Sequence, residues 1–293
     1  MAIVHEPVLL QEVLDGLGLQ PGAIVLDATV GLGGHAEAIL GAIGPTGLLI
    51  GMDRDQEALE YVRVRLEQFR DQMKLISGHF GELSRHLSVA GVDHLDAVLF
   101  DLGVSSFQLE KAERGFSFSR EGPLDMRMDS SSGQTAAQIV NRGSLQELTR
   151  ILRDFGQERW AGRIARAIVR GRPFRSTTHL AEAIRRAVPP GARYGRIDAA
   201  TRPFQAIRIA VNRELELLPQ GLNQAIDTLR SGGRIAVLAY HSLEDRIVKH
   251  VFRDQAREGR CQVLTRKPIR PSSIEVERNP RSRSACLRIA QRE

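Results

Sequence analysis

The sequence predicts an α/β protein: a Rossmann-like, mostly parallel sheet interrupted by an all-helical insertion. Three observations point there. A short apolar run, Ile24-Val25-Leu26, ends in Asp27 and passes through a glycine turn into a helix. That is the order in which a parallel sheet presents a ligand site at its carboxyl edge. Further apolar runs stand at residues 48–52, 73–76, 95–100 and 235–240, with helical periodicity between most of them. From residue 106 to about 200 the periodicity stays helical and no strand pattern occurs.

The first strand and turn read D-A-T-V-G-L-G-G-H, with Gly31, Gly33 and Gly34 before His35. Glycines let a backbone approach a ligand where a Cβ would clash. The pattern departs from the dinucleotide fingerprint G-x-G-x-x-G. An acid at the mouth of the turn, Asp27, disfavours a pyrophosphate and suits a ligand carrying an ammonium group, such as S-adenosylmethionine. A plain strand-to-helix turn is the competing reading. The second apolar strand ends at Asp53, 22 residues after Gly31. An acid at that spacing accepts hydrogen bonds from ribose hydroxyls; an ordinary solvated acid at a strand end is the alternative.

Phe80 follows the third strand and is placed to pack on an adenine ring or to sit under a loop. The fourth strand ends at Asp101, followed by Leu102-Gly103-Val104-Ser105-Ser106-Phe107-Gln108. This tip is the expected place for methyl-acceptor contacts. The strand over 235–240 ends in His241-Ser242-Leu243-Glu244-Asp245, and His241 joins Asp101 as a candidate on the same edge. His5 reads as a solvated residue near the start.

Residues 108–133 form a long irregular loop, a length that is usually functional inside a compact domain. Helices follow. Ser144-Leu145-Gln146-Glu147 has the capping-box pattern. The next helix buries Ala161, Ile164, Ala165 and Ile168 and carries Arg159, Arg163, Arg166 and Arg170 as a stripe on its other face. A helix over 204–218 and a second over 221–229 then lead back to the sheet. A last strand is expected over 285–290.

The 293-residue chain has a net charge of +6, unevenly spread. Residues 142–213 hold 16 arginines, no lysine and five acids, so the remainder is slightly acidic. Such asymmetry points to a polyanion, most simply nucleic acid. Arginine suits bidentate phosphate contacts. Aromatic residues make up only 5%, which disfavours base stacking as the main binding mode. The tail from Arg266 onward adds eight basic residues against three acids. Two cysteines, Cys261 and Cys286, fit neither a disulfide framework nor a zinc cluster. No signal-peptide pattern and no membrane-length apolar run is present, so a cytoplasmic setting is expected, with no membrane partner and no metal. A homodimer is left open. Three readings compete with an RNA-modifying enzyme. They are a small-molecule methyltransferase, a non-catalytic RNA-binding or assembly protein with a vestigial cofactor fold, and a nicotinamide oxidoreductase, which lacks its phosphate fingerprint here.

Seven motifs, in order, carry a resemblance that spans essentially the whole chain. They are HEPVLLQEVL at 5–14, DATVGLGGHA at 27–36, DLGVSSFQL at 101–109, RGFSFSREGPLDMRMD at 114–129, TRPFQAIRIAVNREL at 201–215, YHSLEDRIVK at 240–249 and NPRSRSACLR at 279–288. On these the chain resembles the bacterial ribosomal RNA small-subunit methyltransferase H (MraW) family. The resemblance implies a class I S-adenosylmethionine-dependent methyltransferase, with its sheet domain at 1–105 and 201–293 and an inserted helical RNA-binding domain at 106–200. It implies N4-methylation of a cytidine in the decoding centre of 16S rRNA, within the small ribosomal subunit. Carried over by motif, the cofactor contacts are Gly33, Gly34, His35, Asp53, Phe80, Asp101 and Gln108. Phe107 stands where the family pattern usually has proline, which bears on the loop presenting Gln108. Asp101 and His241 are the candidate catalytic groups; Arg159, Arg163, Arg166 and Arg170 are the candidate RNA contacts.

Overall fold

The computed structural model describes residues 6–193 and 197–293, so His5 lies outside the described residues. The chain divides into two compact units, residues 1–103 with 215–293 and residues 104–214.

The first unit is built on a seven-stranded sheet. Its strands are β1 (Ile24–Asp27), β2 (Leu48–Asp53), β3 (Met73–Ser77), β4 (Leu95–Asp101), β5 (Leu229–Ala239), β6 (Cys261–Val263) and β7 (Cys286–Arg292), in the spatial order β3-β2-β1-β4-β5-β7-β6. The first five are parallel, and β7 runs antiparallel between β5 and β6. The order reverses beside β1, so β1 and β4 diverge to opposite halves. A crevice opens at such a switch point, at the carboxyl ends of the strands. The central strands read as continuous apolar runs because helices cover both faces. One face packs Leu26, Ile50, Val98, Phe100 and Val237; the other packs Val25, Leu49, Ala97, Leu99 and Ala236. This alternation is the two-residue period of a strand. Each of the larger side chains among these, from valine to phenylalanine, contributes about 1.5–3 kcal/mol on full burial.

The second unit is helical and has its own core, drawn from helices Ala136–Arg142, Leu145–Asp154, Ala161–Gly171, Thr177–Ala187 and Thr201–Asn212. Ser144 and Thr135 cap two of these helices. At Ser144 only half of the expected box is made: its hydroxyl accepts the Glu147 amide at 3.1 Å.

The long loop is stapled rather than loose. Arg114, 8% exposed, donates to the carbonyls of Arg127 (3.1 Å) and Met128 (2.9 Å). The Asn212 side chain accepts from the Met128 amide and donates to the Met126 carbonyl, both at 2.8 Å. Gly115, at φ +71°, sits so close to the Pro123 carbonyl that no Cβ fits there.

Three expectations need correction. The helix expected over 204–218 breaks at Arg213, which adopts a left-handed φ of 53°. Arg208 pairs with Glu214 across the break through two hydrogen bonds of 2.9 and 2.8 Å. The helix Thr201–Asn212 packs Phe204, Ala206 and Ile207 into the helical core. The return to the sheet unit therefore falls after residue 214, not at 201. The helix expected from Gly221 instead runs Glu214–Thr228 through Pro219. Gly221 is there for close approach, since a Cβ would stand 3.0 Å from the Phe80 carbonyl.

Candidate active site

The first-unit candidates converge on the carboxyl edge of the sheet. β1 ends at Asp27, only 1% exposed, whose Oδ1 accepts the Thr29 amide at 3.1 Å. The turn beyond it is sewn to both neighbouring strands: the Ala28 amide donates to Leu99, and the Val30 amide to Met52, each at 2.9 Å. Gly33 has φ +77°, a region that L side chains avoid, and a Cβ there would meet Val62 at 3.2 Å. A Cβ on Gly34 would stand 2.9 Å from Pro7. The glycines thus let the segment before the first helix lie against the turn.

That segment has a second anchor. The Leu9 amide donates to Glu275 Oε1 at 2.8 Å, and Asn279 donates to the Glu6 carbonyl at 3.1 Å. Arg278 pairs with Glu6. Leu9 itself is left-handed, with φ 53°.

Asp53, at the tip of β2, accepts the Gly31 amide at Oδ2 and the Asp55 amide at Oδ1, both at 2.9 Å. Burial raises its pKa, and these amides work against that rise. Each oxygen keeps lone-pair capacity for a further donor such as a ribose hydroxyl. Phe80 follows β3, half-buried, its ring 5.5 Å from Phe100 at 68°. One side of that ring is therefore fixed by an edge contact.

Asp101 ends β4. Its amide donates to Thr29 Oγ1 at 2.6 Å, the Tyr240 hydroxyl donates to its Oδ1 at 2.7 Å, and His35 Nδ1 lies 3.4 Å from its Oδ2. His35 is buried, and its Nε2 lies 3.1 Å from the Val8 carbonyl. Burial works against a charged His35, but the hydrogen bond and charge of Asp101, with the charge of Asp27, leave its pKa raised. Asp27 is pushed up to about 7 by burial, against the pull of His35. Burial and the Asp101 charge drive the Tyr240 hydroxyl well above its ordinary range.

His241 takes a different part. It is the N-cap of the helix Ser242–Arg257: its Nδ1 accepts the Glu244 amide at 3.3 Å. Glu244 returns the contact by accepting the Tyr240 amide (2.9 Å) and the His241 amide (3.3 Å). His241 Nε2 is 3.1 Å from Glu244 Oε1, without hydrogen-bond geometry.

In the second unit, Gln108 is 4% exposed and lies in the short helix Ser106–Glu110, where it forms a reciprocal capping box with Ser105. Phe107 supplies a platform that a proline would lack, with the Lys111 ammonium 4.0 Å from the ring centre. Arg163, Arg166 and Arg170 are exposed on the helix Ala161–Gly171. Arg159 is exposed as well but precedes that helix, its guanidinium 5.2 Å from the Trp160 ring centre. The expected four-residue helical stripe is thus three residues and a flanking turn.

Sequence reading missed the roles of Thr29, Tyr240 and Glu244, and the anchoring of the Glu6–Leu9 segment by Glu275 and Asn279. Tyr240 had a signal, its position at the tip of a strand beside His241, but nothing local says that β5 lies next to β4.

Residues 2–293 match the model of the MraW methylase family. The chain belongs to that family. Its relatives include proteins named "Ribosomal RNA small subunit methyltransferase H" from Pelobacter propionicus, 49% identical with 98% of each chain covered, and from Persephonella marina, 47% identical with 99% of each covered. A solved structure titled a putative rRNA-methylase from Clostridium thermocellum covers 99% of this chain at 13% identity and a TM-score of 0.49. This chain is an S-adenosylmethionine-dependent methyltransferase with a Rossmann-like sheet. The residues present fit that cofactor. The left-handed Gly33 keeps the turn clear of side chains, Asp53 keeps acceptor capacity 22 residues after Gly31, and Asp101 ends β4 as a partly exposed carboxylate.

Proposed function

We propose that this chain methylates N4 of a cytidine in the decoding centre of 16S rRNA, within the small ribosomal subunit. The observation that carries the substrate class is the 49% identity to a small-subunit rRNA methyltransferase over 98% of both chains. Gly33, Gly34, His35, Asp53, Phe80 and Asp101 of the first unit, and Gln108 of the second, are the proposed cofactor contacts. The cofactor supplies an electrophilic methyl group on a sulfonium, so the protein's task is chiefly alignment.

Cytosine N4 is a weak nucleophile because its lone pair is delocalised into the ring. An acceptor on its N–H orients the amine and helps localise that pair. As the N–C bond forms, N4 becomes positively charged and releases a proton. Asp101, His241 and a backbone carbonyl of residues 103–106 are the candidate acceptors, and of the two side chains Asp101 is the better supported. It is a carboxylate at a strand tip and its side chain is 21% exposed, whereas His241 Nδ1 is engaged in capping. Arg159, Arg163, Arg166 and Arg170 hold RNA phosphates in this reading, and the target base is unpaired or extruded to reach the methyl.

The test is transfer from labelled S-adenosylmethionine to unmodified small subunits, with naked 16S rRNA alongside, followed by nucleoside mass spectrometry. N4-methylated cytidine is the expected product. Absence of methylated RNA from both, despite tight cofactor binding, would favour a non-catalytic RNA-binding protein.

A further inference from the structure

The contacts around Asp101 carry an inference about its neighbours, and it rests on the reading of Asp101 as the acceptor. Three groups face the carboxylate from three elements. Thr29, in the turn after β1, takes the Asp101 amide at 2.6 Å and fixes the backbone of the tip. Tyr240, just past β5, donates its hydroxyl to Oδ1 at 2.7 Å. Its own amide is held by Glu244 Oε2 at 2.9 Å, so the ring is anchored from the helix behind it. His35, in the first turn after Gly33 and Gly34, places Nδ1 3.4 Å from Oδ2.

The partners of His35 constrain its proton count. Nε2 faces a backbone carbonyl, Val8 O, at 3.1 Å, and a carbonyl only accepts. Nδ1 faces a carboxylate oxygen, which accepts when ionised. A neutral imidazole has one N–H and serves only one of these; an imidazolium serves both. Among the described residues, the other ionisable groups near this cluster are Asp27 beneath the turn, Asp53 on the next strand, and Glu244 and Glu275 toward Tyr240. All are carboxylates, and a buried cation among them is compensated.

We propose that Tyr240 and His35 are positioning residues for Asp101, Tyr240 through its hydroxyl donor and His35 as a buried imidazolium. Together they hold the carboxylate in one orientation. Each oxygen then has one lone pair engaged and one left to take an N–H from a bound ligand. Tyr240 acts through Asp101; His35, itself a proposed cofactor contact, steadies Asp101 as well.

The experiment is a double-mutant cycle in the subunit-methylation assay. Tyr240→Phe keeps the ring and removes the donor, and a hydrogen bond to a charged group is worth enough to lower kcat roughly tenfold or more. KM for the subunit should hold. Placed on Asp101→Ala, Tyr240→Phe should cost nothing further, because the acceptor of its hydroxyl is gone. Additive losses would mean that Tyr240 acts on stability alone and would overturn the proposal, as would an unchanged kcat in the single variant.

A second measurement does not depend on that variant folding. Nitrogen-15 shifts of His35 in the wild-type protein should show both ring nitrogens protonated at pH 7, and Asp101→Asn should return the ring to one proton. A neutral His35 in the wild type overturns the proposal. A wild-type protein that transfers no methyl group would instead remove the proposed function, while the nitrogen shifts still report on the clamp.

Discussion

Asp53 Oδ2 accepts the amide hydrogen of Gly31 at 2.9 Å, joining the tip of β2 to the glycine turn that follows β1. One carboxylate therefore shapes the turn and is also the group proposed to take the ribose. Removing it as Asp53→Ala loses both. The expected cost in S-adenosylmethionine affinity is at least about tenfold, the scale of a hydrogen bond to a charged group. Calorimetric titration of the variant checks it. Asp53→Asn should lie between, since its amide oxygen can still accept from Gly31.

Gly34 and Pro7 touch where a Cβ would stand 2.9 Å from the Pro7 ring. Gly34→Val should push the Glu6–Leu9 segment off the turn and weaken cofactor binding several-fold. The effect should appear as a faster cofactor off-rate in stopped flow. Gly33→Ala works through backbone strain instead, at about 1–2 kcal/mol for a left-handed residue, and should appear in chemical denaturation even without ligand.

The buried Asp27 gives the fold a pH dependence. Between its ordinary value of 3.8 and its folded value of about 7, the unfolded chain ionises Asp27 while the native chain keeps the proton. The native state binds more protons there, so stability falls as pH rises through that window. His35 adds the same sign. Its folded pKa is raised above 6.5, so its contribution is present below that value and is lost as pH climbs through the folded one. Denaturation midpoints from pH 4 to 8.5 should decline for the wild type. Asp27→Asn should flatten most of the slope, and a slope left unchanged by that substitution would contradict the assignment.

Arg163, Arg166 and Arg170 are exposed and face away from the helical core. Replacing all three with alanine should leave the folding free energy within about 0.5 kcal/mol per site. RNA affinity should drop, and the slope of log affinity against log salt should shallow by about 2 if each neutralises one phosphate of a single strand. Filter binding across a salt series reads this. Loss of affinity with an unchanged slope would mean that these side chains make no phosphate contacts.

Much of the site was legible because its signals are local. The run from Ile24 through His35 contains a strand, a turn and a helix start within one dozen residues, and Asp53 follows at a spacing set by one helix and one strand. What failed was anything that depends on neighbours in space. Asp101 and Tyr240 are 139 residues apart, and only the placement of β5 beside β4 brings them together. Arg213 is not a helix-breaking residue type; its left-handed turn is selected by the Arg208–Glu214 pair around it. Gly221 reads as a helix boundary but serves contact with Phe80. β6 is three residues long and too short to carry a period. The placement of the helix Thr201–Asn212 followed from the same cause: nothing in residues 201–212 says which of two cores their apolar face will join.

The wall beside the glycine turn is fastened by partners far along the chain: Leu9 by Glu275, 266 residues later, and Glu6 by Asn279, 273 residues later. Translation delivers those partners long after the segment they hold. A nascent chain can pair β1, β2 and β4 first, yet it cannot fasten this segment until residues 275–279 have emerged. The turn at residues 31–34 thereby depends on residues 275–279, and a change there acts on it at a distance.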